Sequence, residues 1–163
     1  MDVRSRLATA VSRRLRCKQG QSLVEFAAVA FLLFELVFGV IDFGRAFFTQ
    51  MTLQHAVREA GRFAVTGNKL ADPNNPQQML TRVDSIREVA RRSAAGLDVS
   101  GVNISSPAGS GTAGGPGQSV TISLTTQLRF ITPIVGQLIN GGRYIFTVRT
   151  TFKNEPFPPT QTT

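Results

Sequence analysis

Three acidic residues stand in a part of the chain that is otherwise strongly apolar. Glu25 lies near the start of the apolar run Leu23–Ile41. Glu35 lies inside that run, and Asp42 directly follows it. An ionised carboxylate at the centre of a bilayer costs roughly 2.5–3.5 kcal/mol, so we expect Glu35 to be protonated, paired or placed near the interface. Glu35 and Asp42 would share one helix face with Gly39 between them, and we predict that this face packs against another subunit or an assembly protein.

No set of residues in the sequence is typical of an enzyme or of a metal site. His55 is the sole histidine and Cys17 the sole cysteine, whereas a structural zinc site usually takes four such ligands. No serine lies in a nucleophile elbow, and the glycines of residues 109–117 neither follow a strand nor open a helix, as a phosphate loop would. Lipidation of Cys17 is disfavoured because no apolar stretch precedes it. We predict no catalytic activity, no metal and no cofactor.

The positive charge of the chain is concentrated at one end. The net charge is +8, and residues 1–20 hold six basic residues against one acidic residue, whereas the rest holds twelve against nine. The basic character is therefore mainly a property of a short leader, which argues against a nucleic-acid partner. We predict a basic cytoplasmic leader at residues 1–20.

The apolar run is long enough to cross a bilayer, which takes about 20 residues in a helix. Basic residues are denser before the run than after it, so the positive-inside rule places the N-terminus in the cytoplasm and the C-terminal part outside. We predict a transmembrane helix at residues 21–42. A cleavable secretory signal is the competing interpretation, but Val40–Phe48 contains Asp42, Phe43 and Arg45 where a cleavage site of small residues would be expected, and the helical pattern continues through it.

Helical periodicity continues past the membrane segment and predicts one helix from Ser22 to Thr66, with Gly67 as its C-cap. The outer half should be amphipathic and should be covered by the residues that follow it. Its predicted apolar face consists of Phe43, Phe47, Met51, Gln54, Val57, Gly61 and Ala64.

A second helix is predicted to begin with Asn75 as N-cap and Pro76 at its first position, and to end at Gly96. Its predicted apolar face consists of Met79, Val83, Ile86 and Ala90. Its predicted polar side consists of Arg82, Arg87, Arg91 and Arg92.

After Gly96 the apolar period changes to two, which indicates strands. We predict a small antiparallel sheet of about three strands around Val102–Ile104, Val120–Phe130 and Tyr144–Phe152, with a Gly/Ser/Pro loop at residues 107–117. A short helical turn at 133–139 and a turn at 140–142 separate the last two strands. The fold class is α+β, membrane-anchored, with an extracytoplasmic domain at residues 43–155 and a flexible tail at 156–163.

The residues around Glu25 resemble a known processing site. Gly20, followed five residues later by Glu25 and then Phe26 at the mouth of an apolar helix, is similar to the site at which type IV prepilins are cut after the glycine. The wider block resembles TadE/TadG-type minor pilins of the tight-adherence (Flp) pilus system. The runs that carry this resemblance are residues 21–27 (QSLVEFA), 38–45 (FGVIDFGR) and 53–62 (LQHAVREAGR). The family usually has proline at the position of Phe31, so this helix should be straighter than its relatives. The family usually has an aliphatic residue at the position of Glu35, so the departure there argues against a purely passive anchor.

The resemblance implies a pilus assembly protein of the bacterial inner membrane that a prepilin peptidase cuts between Gly20 and Gln21. It also implies a role for Glu25 in assembly with other pilins and pilus assembly proteins, in which its carboxylate neutralises the N-terminal amine of a neighbouring subunit. The residues assigned to assembly are Glu25, Phe26, Glu35, Gly39 and Asp42. The sequence leaves open an uncleaved single-pass protein whose outer domain binds a ligand or partner, and an anchored enzyme is the least favoured alternative.

Overall fold

The computed structural model describes residues 3–99, 101–132 and 140–158 of the chain, with side chains from Gly20 onward. The predicted helical turn at 133–139 lies outside the described residues. Within them the fold is α+β, with one very long helix, a second short helix and an antiparallel sheet.

Helix α1, Val3–Val65, is unbroken over 63 residues, which corresponds to about 95 Å. Its continuity at Phe31 agrees with the expectation of a helix without a proline kink. Its segment Gly20–Val65 is long and apolar enough to cross a membrane, and the apolar window within it is not buried against the rest of the described chain. Because the hydrocarbon core is about 30 Å thick, more than half of this segment must stand outside it.

The outer half of α1 is covered by the rest of the fold, but not on the whole predicted face. The prediction is confirmed at Val57 and Ala64, which are buried. It is wrong at Phe43, Phe47 and Met51, which are 73%, 60% and 53% exposed. The buried face is made mainly of small side chains, because they allow a sheet and a second helix to approach closely. These buried residues are Leu53, Ala56, Val57, Ala60 and Ala64.

Helix α2, Arg82–Ser93, begins later than predicted. The predicted cap at Asn75 is wrong because residues 71–79 fold back on themselves, with Ala71 bridged to Met79 and Asn75 in a turn. The actual N-cap is Thr81, whose hydroxyl accepts a hydrogen bond from the Asp84 amide and donates one to the Asp84 carboxylate. Ile86 and Ala90 are fully buried as predicted, whereas Met79 is exposed and outside the helix.

The sheet has four strands in the order β2-β1-β3-β4, all antiparallel. The strands are β1 Gly101–Ser106, β2 Gly109–Ser110, β3 Ser119–Arg129 and β4 Arg143–Lys153. The three predicted strands are confirmed. The two-residue β2 lies inside the predicted loop 107–117 and forms a tight hairpin with β1. A short 3₁₀ turn at Asn140–Gly142 leads into β4, in agreement with the predicted turn.

The sheet stands beside α1 with its long strands along the helix axis. The end of β3 lies near the start of the outer half of α1, where Arg45 donates to the Arg129 carbonyl. The end of β4 lies near the helix C-terminus, where the Glu155 amide donates to the Val65 carbonyl. Lengths agree, because the eleven residues of β3 span about 34 Å and α1 rises about 35 Å from Asp42 to Val65.

The packed domain extends into the segment predicted to be a flexible tail. Phe157 is only 7% exposed and its ring lies 4.5 Å below the Arg82 guanidinium. The domain therefore reaches at least Phe157. Residues 159–163 lie outside the described residues.

Candidate assembly site

The proposed processing junction lies on an exposed, helical part of α1. Gly20 has no atom within 4 Å of the position a side chain would occupy. Gln21 lies one turn before Glu25 and donates a hydrogen bond of 2.9 Å from its amide nitrogen to the Glu25 carboxylate. Phe26 is 71% exposed. The structure therefore brings Gln21 and Glu25 together and leaves Gly20 and Phe26 open to a partner.

Glu35 and Gly39 lie one turn apart on α1, both half-buried. Glu35 makes no ion pair with the other side chains that the structure describes. A side chain at Gly39 would meet nothing within 4 Å. The small size of residue 39 is therefore not required by contacts within the described part of the chain.

The Asp42 carboxylate is hydrogen-bonded to partners within its own chain. Its carboxylate accepts hydrogen bonds from the Ile131 and Thr132 amides, each at 2.8 Å, and from the Thr132 hydroxyl at 2.7 Å. The Arg45 guanidinium, one turn further along, lies 3.1 Å from the other carboxylate oxygen. Asp42 is 3% exposed. Whether Asp42 also contributes to an assembly surface stays a prediction, and its observed contacts attach the end of β3 to α1.

An open apolar groove of roughly 330 Å³ lies between α1 and the sheet at this level. Helix residues form one wall, and aromatic side chains from the end of β3 and the start of β4 form the other. Tyr144 packs edge-to-face on Phe146 with ring centroids 4.7 Å apart, and Phe130 lies 6.5 Å from Tyr144. The lining residues are Gly39, Asp42, Phe43, Ala46, Phe130, Thr132, Tyr144 and Phe146.

Arg82 is a structural residue that the sequence did not identify, because the helical pattern placed it on a polar side. That prediction is wrong. Arg82 is 2% exposed, and its guanidinium donates to the Ala64 carbonyl at 2.9 Å and to the Gly114 carbonyl. The Ala64 carbonyl lies at the negative end of α1, which partly offsets the burial of a cation. Burial lowers the pKa of the Arg82 guanidinium.

Asn154 binds the loop that contains Gly114, on the side opposite Arg82. Its amide nitrogen donates to the Ala113 and Gly115 carbonyls, each at 2.9 Å. Arg82 from α2 and Asn154 from the end of β4 thus fix the loop between β2 and β3. Neither residue carries a pattern in the sequence that could have indicated this use.

At Gly61, helix α1 and the sheet approach each other closely. A side-chain carbon at this position would lie 1.9 Å from the Phe152 ring. Gly61 therefore has a packing role inside the chain, in contrast with Gly39 and Gly44, where a side chain would meet nothing within 4 Å.

No group of three or more potential metal ligands occurs among the residues that the structure describes. His55 is exposed on α1. This part of the molecule consists of apolar surfaces, backbone contacts and a few charged side chains, which suit assembly with other molecules.

Residues 20–62 match the family model described as TadE-like protein, which confirms the resemblance over this segment. That family is one of pilus-associated structural proteins. The match covers the predicted processing junction, the apolar run Leu23–Ile41 and the helix as far as Arg62. No curated protein and no solved structure matches the chain.

Proposed function

We propose that this chain, whose segment 20–62 is TadE-like, is a minor pilin or assembly protein that acts in the biogenesis of an adhesive Tad pilus. In this proposal it is inserted in the bacterial inner membrane with its N-terminus in the cytoplasm. A prepilin peptidase then cuts between Gly20 and Gln21. The partners are the peptidase, other pilins and pilus assembly proteins, and the membrane.

The observation that carries the proposal is the start of the TadE-like match at residue 20, on an exposed helix that projects away from the packed domain. Apolar side chains cover this helix on all sides, and Leu23, Phe26 and Leu32 are each more than 65% exposed. Such a surface requires lipid or partner helices around it. A single-pass membrane anchor meets this requirement.

Cleavage after Gly20 would create a positive amine at Gln21 and leave Glu25 as the fifth residue. Opposite charges in apolar surroundings attract more strongly than in water, so the Glu25 carboxylate is suited to pair with the amine of a neighbouring copy. Its exposure and its position near the start of the span support this role.

The first test is the N-terminus of the membrane-embedded protein, determined by mass spectrometry in cells that produce the peptidase. We expect a mature chain that begins at Gln21, and we expect Gly20→Leu to remain uncut. Gly44→Leu is the matched control on the same helix and should be processed normally. An intact leader in the wild-type protein would contradict the proposal and favour the uncleaved anchored binding protein.

The second test separates assembly from folding. We expect Glu25→Gln to be processed but to reduce pilus assembly, because the variant keeps the shape and loses the charge. Gly39→Leu should also reduce assembly, since residue 39 has open space around it in the chain itself. Both variants should unfold at the wild-type temperature. Normal piliation in both variants would argue against helix α1 as the assembly surface.

A further inference from the structure

One end of the sheet is held level with the end of the apolar run of α1. The Asp42 carboxylate accepts hydrogen bonds from the Ile131 and Thr132 amides, so the chain just after β3 lies beside residue 42 of the helix. The 3₁₀ turn before β4 pairs with the same region, because the Phe130 amide donates to the Gly142 carbonyl. The opposite end of the sheet lies about 35 Å away along the helix, beside Val65.

Exposed apolar side chains outside α1 concentrate at this end of the sheet. Ile131, Tyr144 and Ile145 are 54%, 46% and 59% exposed. Among the described residues outside α1, the one other large apolar side chain with comparable exposure is Met79. An aqueous surface would be an unfavourable environment for this cluster.

Two arginines stand directly opposite each other at the same end. Arg129 and Arg143 are register partners, and both side chains lie on the face of the sheet that points away from α1. The ion pairs among the described side chains join Arg45 to Asp42, Arg87 to Asp84 and Arg92 to Glu88, so neither of the two has an acidic partner there. Like charges at directly opposite positions of a sheet destabilise it unless an anion lies nearby.

We propose that this end of the sheet is seated on the membrane surface that α1 crosses, with Arg129 and Arg143 bound to phospholipid phosphates. Tyr144 and Ile145 then reach the interface between headgroups and acyl chains. These four residues and Ile131 form the membrane-facing end of the sheet.

Three observations favour a bilayer as the occupant. The surface is continuous with the membrane-span candidate, because hydrogen bonds fix it at the level of Asp42. Its chemistry matches the interface, where aromatic rings sit at headgroup depth and arginines contact phosphates. Towards the opposite end, the same sheet face carries threonine pairs that hydrogen-bond to each other, such as Thr121 with Thr151.

The inference rests on the membrane anchor of the proposed function but is independent of processing and of pilus assembly. Seating the sheet on the bilayer would fix the tilt of the domain, because two separate points, the helix and the strand end, would then touch the membrane. Such a fixed domain presents the same face to a partner in every copy.

The chain has no tryptophan, so a single introduced tryptophan reports its own surroundings without background. The full chain is reconstituted in vesicles that contain phospholipid brominated near the headgroup end of the acyl chains. We expect the fluorescence of Ile145→Trp to be mostly quenched relative to vesicles of unbrominated phospholipid. Its emission should lie at shorter wavelength than that of a tryptophan exposed to water. Thr151→Trp lies on the same face about 20 Å further along β4 and should keep its fluorescence.

Leu32→Trp, at the centre of the apolar run, tests the anchor separately, in vesicles whose phospholipid is brominated near the terminal methyl end of the acyl chains. Quenching at residue 32 without quenching at residue 145 would overturn this inference and leave the anchor intact. Absence of quenching at residue 32 would overturn both the inference and the membrane part of the proposed function. A blue shift at residue 145 that increases with the protein-to-lipid ratio, without quenching by bromine, would overturn the inference in favour of contact with a second copy.

The charges are tested with Arg129→Gln and Arg143→Gln in the Ile145→Trp background. In vesicles rich in phosphatidylglycerol, each removed charge should shift the equilibrium towards an unseated domain roughly fivefold, the equivalent of about 1 kcal/mol. Arg149→Gln with Lys153→Gln removes two charges from the same face farther from the membrane and should have a much smaller effect. Equal effects of the two pairs would overturn the assignment of Arg129 and Arg143 to phosphates.

Discussion

Asp42 and Thr132 are joined by two hydrogen bonds across 90 residues of sequence. One Asp42 carboxylate oxygen accepts from the Thr132 amide and from its hydroxyl, at 2.8 Å and 2.7 Å. A charged acceptor makes such bonds stronger than neutral pairs, typically about 1.5–3 kcal/mol each. This contact decides where the sheet stands relative to the membrane segment of α1.

Asp42→Ala should detach the end of β3 from α1, because the Ile131 and Thr132 amides lose their acceptor. We expect a local loss of roughly 2 kcal/mol, or about 30-fold faster hydrogen exchange at the Ile131 and Thr132 amides. Exchange measured by mass spectrometry on the detergent-solubilised chain checks this. Asp98→Ala removes an exposed carboxylate and should leave both amides protected. Unchanged protection in Asp42→Ala would show that the contact is dispensable.

Arg82→Met should destabilise the domain, because it leaves the Ala64 and Gly114 carbonyls without their donor and removes the contact with Phe157. The variant also removes the desolvation penalty of burying the Arg82 cation, which offsets part of the loss. We therefore expect the free energy of unfolding to fall by only about 2 kcal/mol. Denaturant titration measures it. Arg91→Met is the matched control on the exposed side of α2 and should change stability by less than about 0.5 kcal/mol. Equal stability of the two variants would contradict the role given to Arg82.

Gly61→Ala should separate α1 from β4, because the new methyl group would overlap the Phe152 ring. Overpacking of this kind typically costs about 1–3 kcal/mol. Gly44→Ala, in open space on the same helix, should be neutral or stabilising by up to about 1 kcal/mol. Thermal unfolding distinguishes them, and the addition of Phe152→Leu should restore part of the stability lost in Gly61→Ala. A stabilising Gly61→Ala would be inconsistent with the close contact.

Asp84 makes the stability of the domain depend on pH in the acidic range. The hydrogen bond from the Thr81 hydroxyl, and then the Arg87 guanidinium, lower the pKa of Asp84 below its ordinary value of 3.8. At a pH between the pKa of Asp84 in the folded state and its pKa in the unfolded state, the unfolded chain binds more protons. The stabilisation by Asp84 is therefore complete above the pKa of the unfolded state, and it is lost as the pH falls through the pKa of the folded state. The stability difference between wild type and Asp84→Asn should therefore shrink below about pH 4. A constant difference over pH 2–6 in denaturant titrations would contradict this.

Much of the fold follows from local sequence. The 3.6-residue period of α1, the alternation around Ile122 and Phe146, and the glycine turn at 140–142 are local signals, and the structure confirms the elements that they predicted. The start of α2 was missed although the Thr81–Asp84 capping pair could have indicated it. The Asn75-Pro76 signal competed with that pair, and the bridge between Ala71 and Met79 decides between them only once the chain is folded.

The sequence by itself determined that the chain carries a membrane-length apolar helix with acidic residues along it, and that an α+β domain follows, because hydropathy and periodicity are properties of neighbouring residues. Only the tertiary structure decided the use of each charge. Asp42 binds a strand end 90 residues away, Arg82 is buried rather than solvated, and Arg129 faces Arg143 without an acidic partner among the described side chains. Burial and pairing depend on which distant residues meet, and no local pattern encodes that.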